Sequence, residues 1–345
     1  MGRLVTPTAR LLLPANAGRE EWEAARQGGL GGSDIAAVLG MDKYRSPRHV
    51  WLDKRGELPD LPRDPELDEA AESGTELEDY IARKFARKTG TRVRRVGTLV
   101  HVDHPWMRVN IDRRVYGCPD GPCLLECKNR SEWQRQQWSE EVPDGPALQA
   151  HWGLAVTGYG HAHVAVLLGG NSHRHFRIER DEELLSHLIS YAGEFWQSVT
   201  DPAAPPPPID GSDAATELLA RMWNATKDAK VRVDPDVVRP LIDRKDELVA
   251  QMEELAVEVA RIENQLKEML GEAEIGVDAA DNELVSWKQN GNFAPKRFAK
   301  EHPELAAKYT RLAEVFDLKT FKAEQPEMYR AYRARVLRTP TKGTS

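Results

Sequence analysis

The sequence predicts an α+β protein, with a central mixed β-sheet flanked by helices and then a mainly helical region. Three observations carry this. Strand-like apolar runs gather between residues 94 and 178, with helical periods before, among and after them. Four consecutive prolines, Pro205–Pro208, then break the chain, because proline neither continues a helix nor donates to a sheet. Beyond them the apolar period becomes seven.

Gly28-Gly29-Leu30-Gly31-Gly32 leads into Ser33-Asp34, residue types that start helices. A loop follows from Leu58 to Asp68, with three prolines and several acids. Leu77, Ile81, Lys84, Phe85 and Lys88 keep helical spacing, and Gly90 ends that helix. Arg94–Val102, Arg108–Tyr116 and Leu124–Lys128 read as strands, the last two joined antiparallel by the Gly117–Pro122 turn. Asp144, with Pro146 in the first turn, opens a helix that stops near Gly158. His161–Leu168 is almost wholly apolar, as a strand buried on both faces must be. His173–Ile178 is a further strand and Asp181–Val199 a further helix. The expected division is a domain over residues 1–200, a Pro-rich linker over 201–212 and a helical region over 213–345. In that last region Leu241, Leu248, Leu255, Ile262 and Met269 repeat every seven residues, with Met252, Val259 and Leu266 at companion positions. This is one long helix suited to a coiled coil or to lying on a neighbour, ended by Gly271 and Gly276. A short strand pair around Leu284–Trp287 and a closing helix over Pro326–Val336 complete the reading.

Composition narrows the function. With 345 residues, 40% hydrophobic and 30% charged, the chain reads as an ordinary soluble globular protein. No apolar run reaches about 18 residues, and no signal peptide is evident, so no membrane is expected. Three cysteines form no disulfide framework, which places the protein in a reducing cytoplasm. A net charge of −7 does not suit a nucleic-acid coat. It does not exclude an enzyme that gathers carboxylates around a metal and needs positive charge only along its track.

On the strand Leu124–Lys128, side chains alternate faces, so Glu126 and Lys128 share one surface while Leu125 and Cys127 pack on the other. The preceding strand carries Asp112, and antiparallel pairing can bring it beside Glu126. Two carboxylates and a lysine suit phosphodiester hydrolysis. The carboxylates hold a hard cation such as Mg2+, with Mn2+ as the alternative. Such a cation polarises the phosphate and acidifies its water, and lysine offsets the growing charge. The main-chain carbonyl of Cys127 is a further candidate ligand. Surface Glu-x-Lys pairs are common, so three more features matter. Glu78 shares a helix face with Ile81, Ala82 and Phe85, where a carboxylate needs a partner or a metal, whereas Glu76 lies on a solvated face. Gln149 lies beside Trp152 and Val156, where a neutral amide can orient water or phosphate. Arg26 and Ser33 bracket the glycine-rich turn, which can grip a phosphate.

Together these pieces resemble the phage recombination exonucleases of the lambda-exonuclease-like (YqaJ-type) family, within the PD-(D/E)xK nuclease superfamily. The resemblance runs from about Ala24 to Val199. It rests on Gly31–Gly40, Ser46-Pro47, Trp51–Lys54, Gly74–Glu78, Asn110–Asp112, Glu126–Lys128, and Gln149 followed by Ala155–Gly158. It implies a restriction-endonuclease-like core and a Mg2+-dependent 5′→3′ exonuclease on double-stranded DNA ends. Such an enzyme leaves 3′ single-stranded tails for a single-strand annealing protein, and works as a homo-oligomeric ring, a trimer by family likeness. It implies Asp112, Glu126, Lys128, Glu78 and Gln149 as catalytic, and Arg26 and Ser33 as holders of the 5′-terminal phosphate. Asp120, in Cys118-Pro119-Asp120-Gly121, competes with Asp112 for the metal-binding role, because some relatives carry Ser-Pro-Asp-Gly there. Asp112 has the better strand context. The alternatives are an endonuclease of restriction or repair type, and a catalytically silent DNA-end-binding scaffold.

Two histidine pairs, His161-x-His163 and His173-x-His175, each put two imidazoles on one strand face. No cysteine or carboxylate converges on them in sequence, so they read as packing or surface residues. Three thiols are too few for an iron–sulfur cluster. Lys288, Lys296, Arg297, Lys300, Lys319, Lys322, Arg330, Arg333, Arg335 and Arg338 make the last third locally basic, able to track DNA or dock a partner, or simply to solvate helices.

Overall fold

The computed structural model describes residues 4–59, 65–223, 225–226, 229–310 and 315–333. The chain forms two compact units, Met1–Asn224 and Ala225–Ser345.

The first unit begins with β1 (Ala9–Leu13), α1 (Arg19–Gln27), α2 (Gly32–Val38), α3 (Pro47–Arg55) and α4 (Pro65–Thr89). Ser46 caps α3 by accepting from the His49 amide. Four short strands follow, β2 (Arg92–Arg94), β3 (Thr98–His101), β4 (Arg108–Asn110) and β5 (Arg113–Tyr116), then β6 (Cys123–Arg130), α5 (Asp144–Thr157), β7 (His161–Leu168), β8 (Ser172–Glu179), α6 (Glu182–Thr200) and α7 (Asp213–Met222).

The two longer strands expected over Arg94–Val102 and Arg108–Tyr116 are each divided. Their outer halves, β3 and β4, pair with β1 in one sheet, in the order β1-β3-β4. Their inner halves, β2 and β5, join the main sheet, in the order β2-β5-β6-β7-β8. Both partners bend at the same level, between the Arg94–Arg114 and Thr98–Asn110 pairs. A ribbon turns a corner in this way when it leaves one sheet for another. Gly97 makes the corner, with φ +96. A Cβ there would lie 2.3 Å from the Leu13 carbonyl oxygen, which is backbone and cannot move aside. Gly97→Ala is therefore expected to cost about 2–3 kcal/mol, read as a lowered Tm; an unchanged Tm would refute the corner's role.

The main sheet is mixed. β6 runs parallel to β7 through the α5 crossover, and its other neighbour, β5, is antiparallel. One face carries Leu124, Val164 and Val166 into a core shared with Trp152 and Leu154 of α5 and with Ile35 of α2. The opposite face carries Leu125, Ala165 and Leu167 against Ile81, Ala82 and Phe85 of α4. Each buried Leu, Ile, Val or Phe among them contributes roughly 1.5–3 kcal/mol. Alternation along β6 then directs Glu126 and Lys128 toward α5.

The proline run does not end the first unit at residue 200. Arg48 donates to the Pro207 carbonyl oxygen at 2.7 Å, and α7 beyond it buries Ala214, Ala215 and Leu218. The stiff segment carries the chain across the surface and returns it to the core, so the division falls after residue 224.

The second unit contains α8 (Pro235–Leu270), the antiparallel pair β9 (Ile275–Val277) and β10 (Glu283–Ser286), then α9 (Pro295–Glu301), α10 (Pro303–Lys308), α11 (Leu318–Glu324) and α12 (Pro326–Ala331). Gly271 ends α8, whereas Gly276 lies within β9. The heptad residues Leu241, Leu248, Leu255, Ile262 and Met269 are all exposed. Residues 334–336 of the expected closing helix, and Arg335 and Arg338 of the basic series, lie outside the described residues, as do residues 60–64 of the Leu58–Asp68 loop. Among the described residues no helix is long and apolar enough to cross a membrane.

Candidate active site

The corner in the ribbon builds the site. Asp112 sits in the bend between β4 and β5, opposite Glu126 by the β5–β6 register. Because the partner strand leaves there, the Cys127 amide loses its expected ladder acceptor, and the Asp112 carboxylate accepts from it instead at 2.6 Å. In a strand the N–H and C=O of one residue point to the same flank. The Cys127 carbonyl therefore faces the flank that holds Asp112.

Glu126 is fully buried. Its Oε2 accepts from Gln149 Nε2 at 2.9 Å and from Lys128 Nζ at 3.4 Å, and Lys128 Nζ also donates to Gln149 Oε1 at 2.7 Å. Carboxylate, ammonium and amide thus form a closed triangle. Its other oxygen, Oε1, is enclosed and has no hydrogen-bond partner among the described residues. Burial, then the neighbouring Asp112 charge, pushes the Glu126 carboxyl well above the usual range, and burial pushes Asp112 up likewise. The buried Glu126 and half-buried Asp112 carboxyls set against one lysine leave a deficit of positive charge at this point. An orphaned carboxylate oxygen beside a second carboxylate and a main-chain carbonyl is a donor set that fits a hard divalent cation.

Glu78 of α4 is half-buried, whereas Glu76 is exposed. Its carboxylate has a partner on the apolar face: Arg113, itself buried, donates to Glu78 Oε1 and also to Asp79 Oδ1 at 3.2 Å. Glu78 lines the same cleft as Asp112, together with Thr75, Arg95 and Arg113. Asp120 is elsewhere, exposed in the β5–β6 turn and paired with Arg177 of β8. Asp112 is thus the aspartate that faces Glu126.

A second cleft meets the first at Asp112 and is lined by Trp22, Arg26, Ser33, Arg108, Asn110 and Gln149. It joins the glycine-rich turn to the carboxylates. Arg26, at the end of α1, lies over the Trp22 ring at 5.0 Å, and Ser33 is exposed in the first turn of α2. Arg108 donates to the Ala25 carbonyl directly beneath Gly28 and Gly29. A Cβ at Gly28 would come within 2.6 Å of both terminal nitrogens of Arg108, so a larger residue there would have to displace this guanidinium.

Sequence reasoning missed the group that holds this turn. Asp34 is fully buried, and its carboxylate accepts from Lys54 at 2.8 Å, Arg45 at 3.0 Å, Arg26 at 3.4 Å and the Gly31 amide at 3.0 Å. Lys54 also donates to the Arg26 carbonyl at 2.9 Å. Burial alone would raise the Asp34 carboxyl, yet three cations bring it down to about 2. Burial lowers the Lys54 ammonium even with Asp34 beside it, since it has one counter-ion where Asp34 has three. The available signal was helical spacing, which puts Lys54 one turn from Val50 and Trp51 on the same face.

Architecture and site define a class: an α+β domain in which a bent-strand aspartate faces a Glu-x-Lys strand beside a cationic, glycine-rich turn. Residues 21–160 match the sequence profile of the YqaJ-like viral recombinase domain. The chain is 34% identical over 274 residues to the YqaJ protein of Bacillus subtilis (strain 168), covering 78% of this chain and 83% of that one. It belongs to the YqaJ family. Among solved structures, it resembles the alkaline exonuclease LHK-Exo of Laribacter hongkongensis with TM-score 0.44 and 21% identity, over 52% of this chain and 92% of that chain. The same enzyme in complex with dAMP matches at TM-score 0.44 and 22% identity, again over 52% of this chain and 92% of that chain.

Proposed function

We propose that this protein is a Mg2+-dependent 5′→3′ exonuclease on double-stranded DNA ends, leaving 3′ single-stranded tails for a strand-annealing partner. Mn2+ is the alternative metal. The observation that carries this reading is the orphaned, fully enclosed Oε1 of Glu126 beside Asp112, within a triangle completed by Lys128 and Gln149. Membership of a recombinase family supports the same substrate.

In this reading Asp112, Glu126 and the Cys127 carbonyl hold the cation, and Glu78 supplies a carboxylate from the adjoining cleft. A cation held there would polarise the scissile phosphate and make water more acidic. Lys128 positions the attacking water and offsets the charge that develops on the phosphate. Gln149 fixes Lys128 Nζ through its Oε1 and Glu126 through its Nε2, so neither has to reorganise as charge builds. Arg26 and the exposed Ser33 hydroxyl hold the 5′-terminal phosphate at the other end of the same cleft, with Arg108 adding positive charge. Local cations can serve an anionic substrate although the whole chain carries −7. The exposed heptad stripe of α8 supports self-association, consistent with a ring or trimer.

The test is digestion of linear against covalently closed circular duplex with Mg2+. Loss of linear DNA alone is expected; cutting of circles would favour the endonuclease alternative. A second comparison uses 5′-phosphorylated and 5′-hydroxyl ends. Wild type should prefer the phosphorylated end, and Arg26→Ala should reduce that preference by about tenfold, the loss of one charge-assisted contact of roughly 1.5 kcal/mol. Equal rates on both ends in wild type would remove Arg26 and Ser33 from the reading.

A further inference from the structure

The opposite face of the main sheet carries a second group of ligand-type side chains. Cys118 lies in the β5–β6 turn, Cys123 opens β6, and His161 and His163 lie on β7. Sequence reasoning found no cysteine near the histidine pair; the fold brings two. The register explains this. Val115 of β5 pairs with Cys123, and Leu125 of β6 pairs with His163, so Cys123, Leu125 and His163 share one face. His161, two residues earlier on β7, shares it too, and the turn folds Cys118 back over the same spot. This is the face packed by α4, away from Glu126 and Lys128.

The four ligand atoms all lie within 4.8 Å of one another. Cys118 Sγ is 3.3 Å from His161 Nε2 and 3.9 Å from His163 Nε2. A tetrahedral zinc with Zn–S near 2.3 Å and Zn–N near 2.0–2.1 Å has ligand–ligand edges of about 3.3–3.8 Å, so closure needs shifts of about 1 Å or less. We infer that Cys118, Cys123, His161 and His163 form a structural zinc site that ties the β5–β6 turn to β7.

The donor chemistry selects the metal. Two thiolates and two imidazoles are soft and borderline donors in a closed set of four, which suits zinc and leaves no position for a substrate. A two-iron cluster with this donor set holds both thiolates on one iron and both imidazoles on the other; Cys118 Sγ only 3.3 Å from His161 Nε2 instead places a thiol and an imidazole around a single ion, and Cys127, four residues along β6, lies outside the group. Binding Zn2+ releases one proton from each of the two thiols to solvent and leaves a neutral centre. The ion would restrain the hairpin whose far end bears Asp112 and Glu126, so its role is to hold the frame of the cleft rather than to take part in cleavage.

The test measures metal in the full-length protein, purified reduced and washed with EDTA to strip weakly held ions. Stoichiometric zinc is expected in wild type and equally in Glu126→Gln, and its loss in Cys118→Ser. Cobalt-substituted wild type should show thiolate-to-cobalt charge transfer and the intense visible bands of a tetrahedral ion, which keeps the inference testable if Cys118→Ser fails to fold. Wild type free of zinc with a Cys118–Cys123 disulfide by thiol titration, zinc retained in Cys118→Ser, or an octahedral cobalt spectrum would each overturn it. Zinc that disappears in Glu126→Gln but persists in Cys118→Ser would place the ion in the carboxylate cleft instead. None of these readouts depends on nuclease activity.

Discussion

Glu126→Gln is expected to lower Mg2+-dependent cleavage by about 10³-fold while raising the stability of the metal-free protein at alkaline pH. Both effects come from one atom's surroundings. Glu126 is fully buried, with one oxygen tied to Lys128 and Gln149 and the other unpartnered. The amide oxygen of glutamine can keep the first set of contacts, so the triangle survives. What disappears is the negative charge that the cation needs. Without the cation that charge is a burden, because burial and Asp112 both oppose it. The folded carboxyl holds its proton more tightly than the unfolded one, whose ordinary value is 4.5. Its contribution to stability is therefore complete below that value and is lost as pH rises through the raised folded value. The Tm of metal-free wild type should fall as pH rises across neutrality, and Glu126→Gln should flatten that fall. Added Mg2+ should raise the wild-type Tm most at high pH, where no proton competes for the site. Parallel melting curves for the two proteins, with and without Mg2+, would show that Glu126 does not bear the buried charge.

Asp34→Ala is the second large expectation. It leaves the Lys54 ammonium buried without its counter-ion and frees the Gly31 amide, Arg26 and Arg45 from their common acceptor. Breaking a buried ion pair by removing one member costs about 3–5 kcal/mol. For a unit of this size that corresponds to a Tm lowered by about 6–20 °C. The wild-type network has its own pH signature. The Asp34 carboxyl is held at about 2, below its ordinary 3.8, so the stability it contributes is present above 3.8 and is lost as pH falls toward 2. Melting curves of wild type and Asp34→Ala should therefore converge in acid. A variant that melts with wild type at neutral pH would mean that the glycine-rich turn is held some other way.

Much of the first unit was legible because its elements obey simple periods. His161–Leu168 is continuous apolar sequence and forms β7 with those bounds, and Asp144 with Gly158 brackets α5. The Glu126–Lys128 face follows from alternation alone. The breaks in Arg94–Val102 and Arg108–Tyr116 were not legible, because each half is strand-like and only pairing with different neighbours separates them. That break is what turns Asp112 toward the Cys127 amide. Glu78 could be read as a carboxylate in need of a partner, but Arg113 lies on a distant strand and its pairing depends on register. The convergence of Cys118 and Cys123 on His161 and His163 was hidden for the same reason. The proline run misled in the other direction. Its composition is that of a linker, yet Arg48 holds Pro207 and α7 beyond it buries its apolar face in the domain.

The most direct test of the central claim, that Asp112, Glu126 and Lys128 form a metal-dependent DNA-cutting site, is nucleotide release from a 5′-phosphorylated linear duplex by wild type and Lys128→Ala. Mg2+ should support release by wild type and EDTA should stop it, while a folded Lys128→Ala should be slower by about 10²–10³-fold. Undiminished release by Lys128→Ala, or no release by wild type with any divalent metal, would contradict it, and the second result would leave a DNA-end-binding scaffold as the better account.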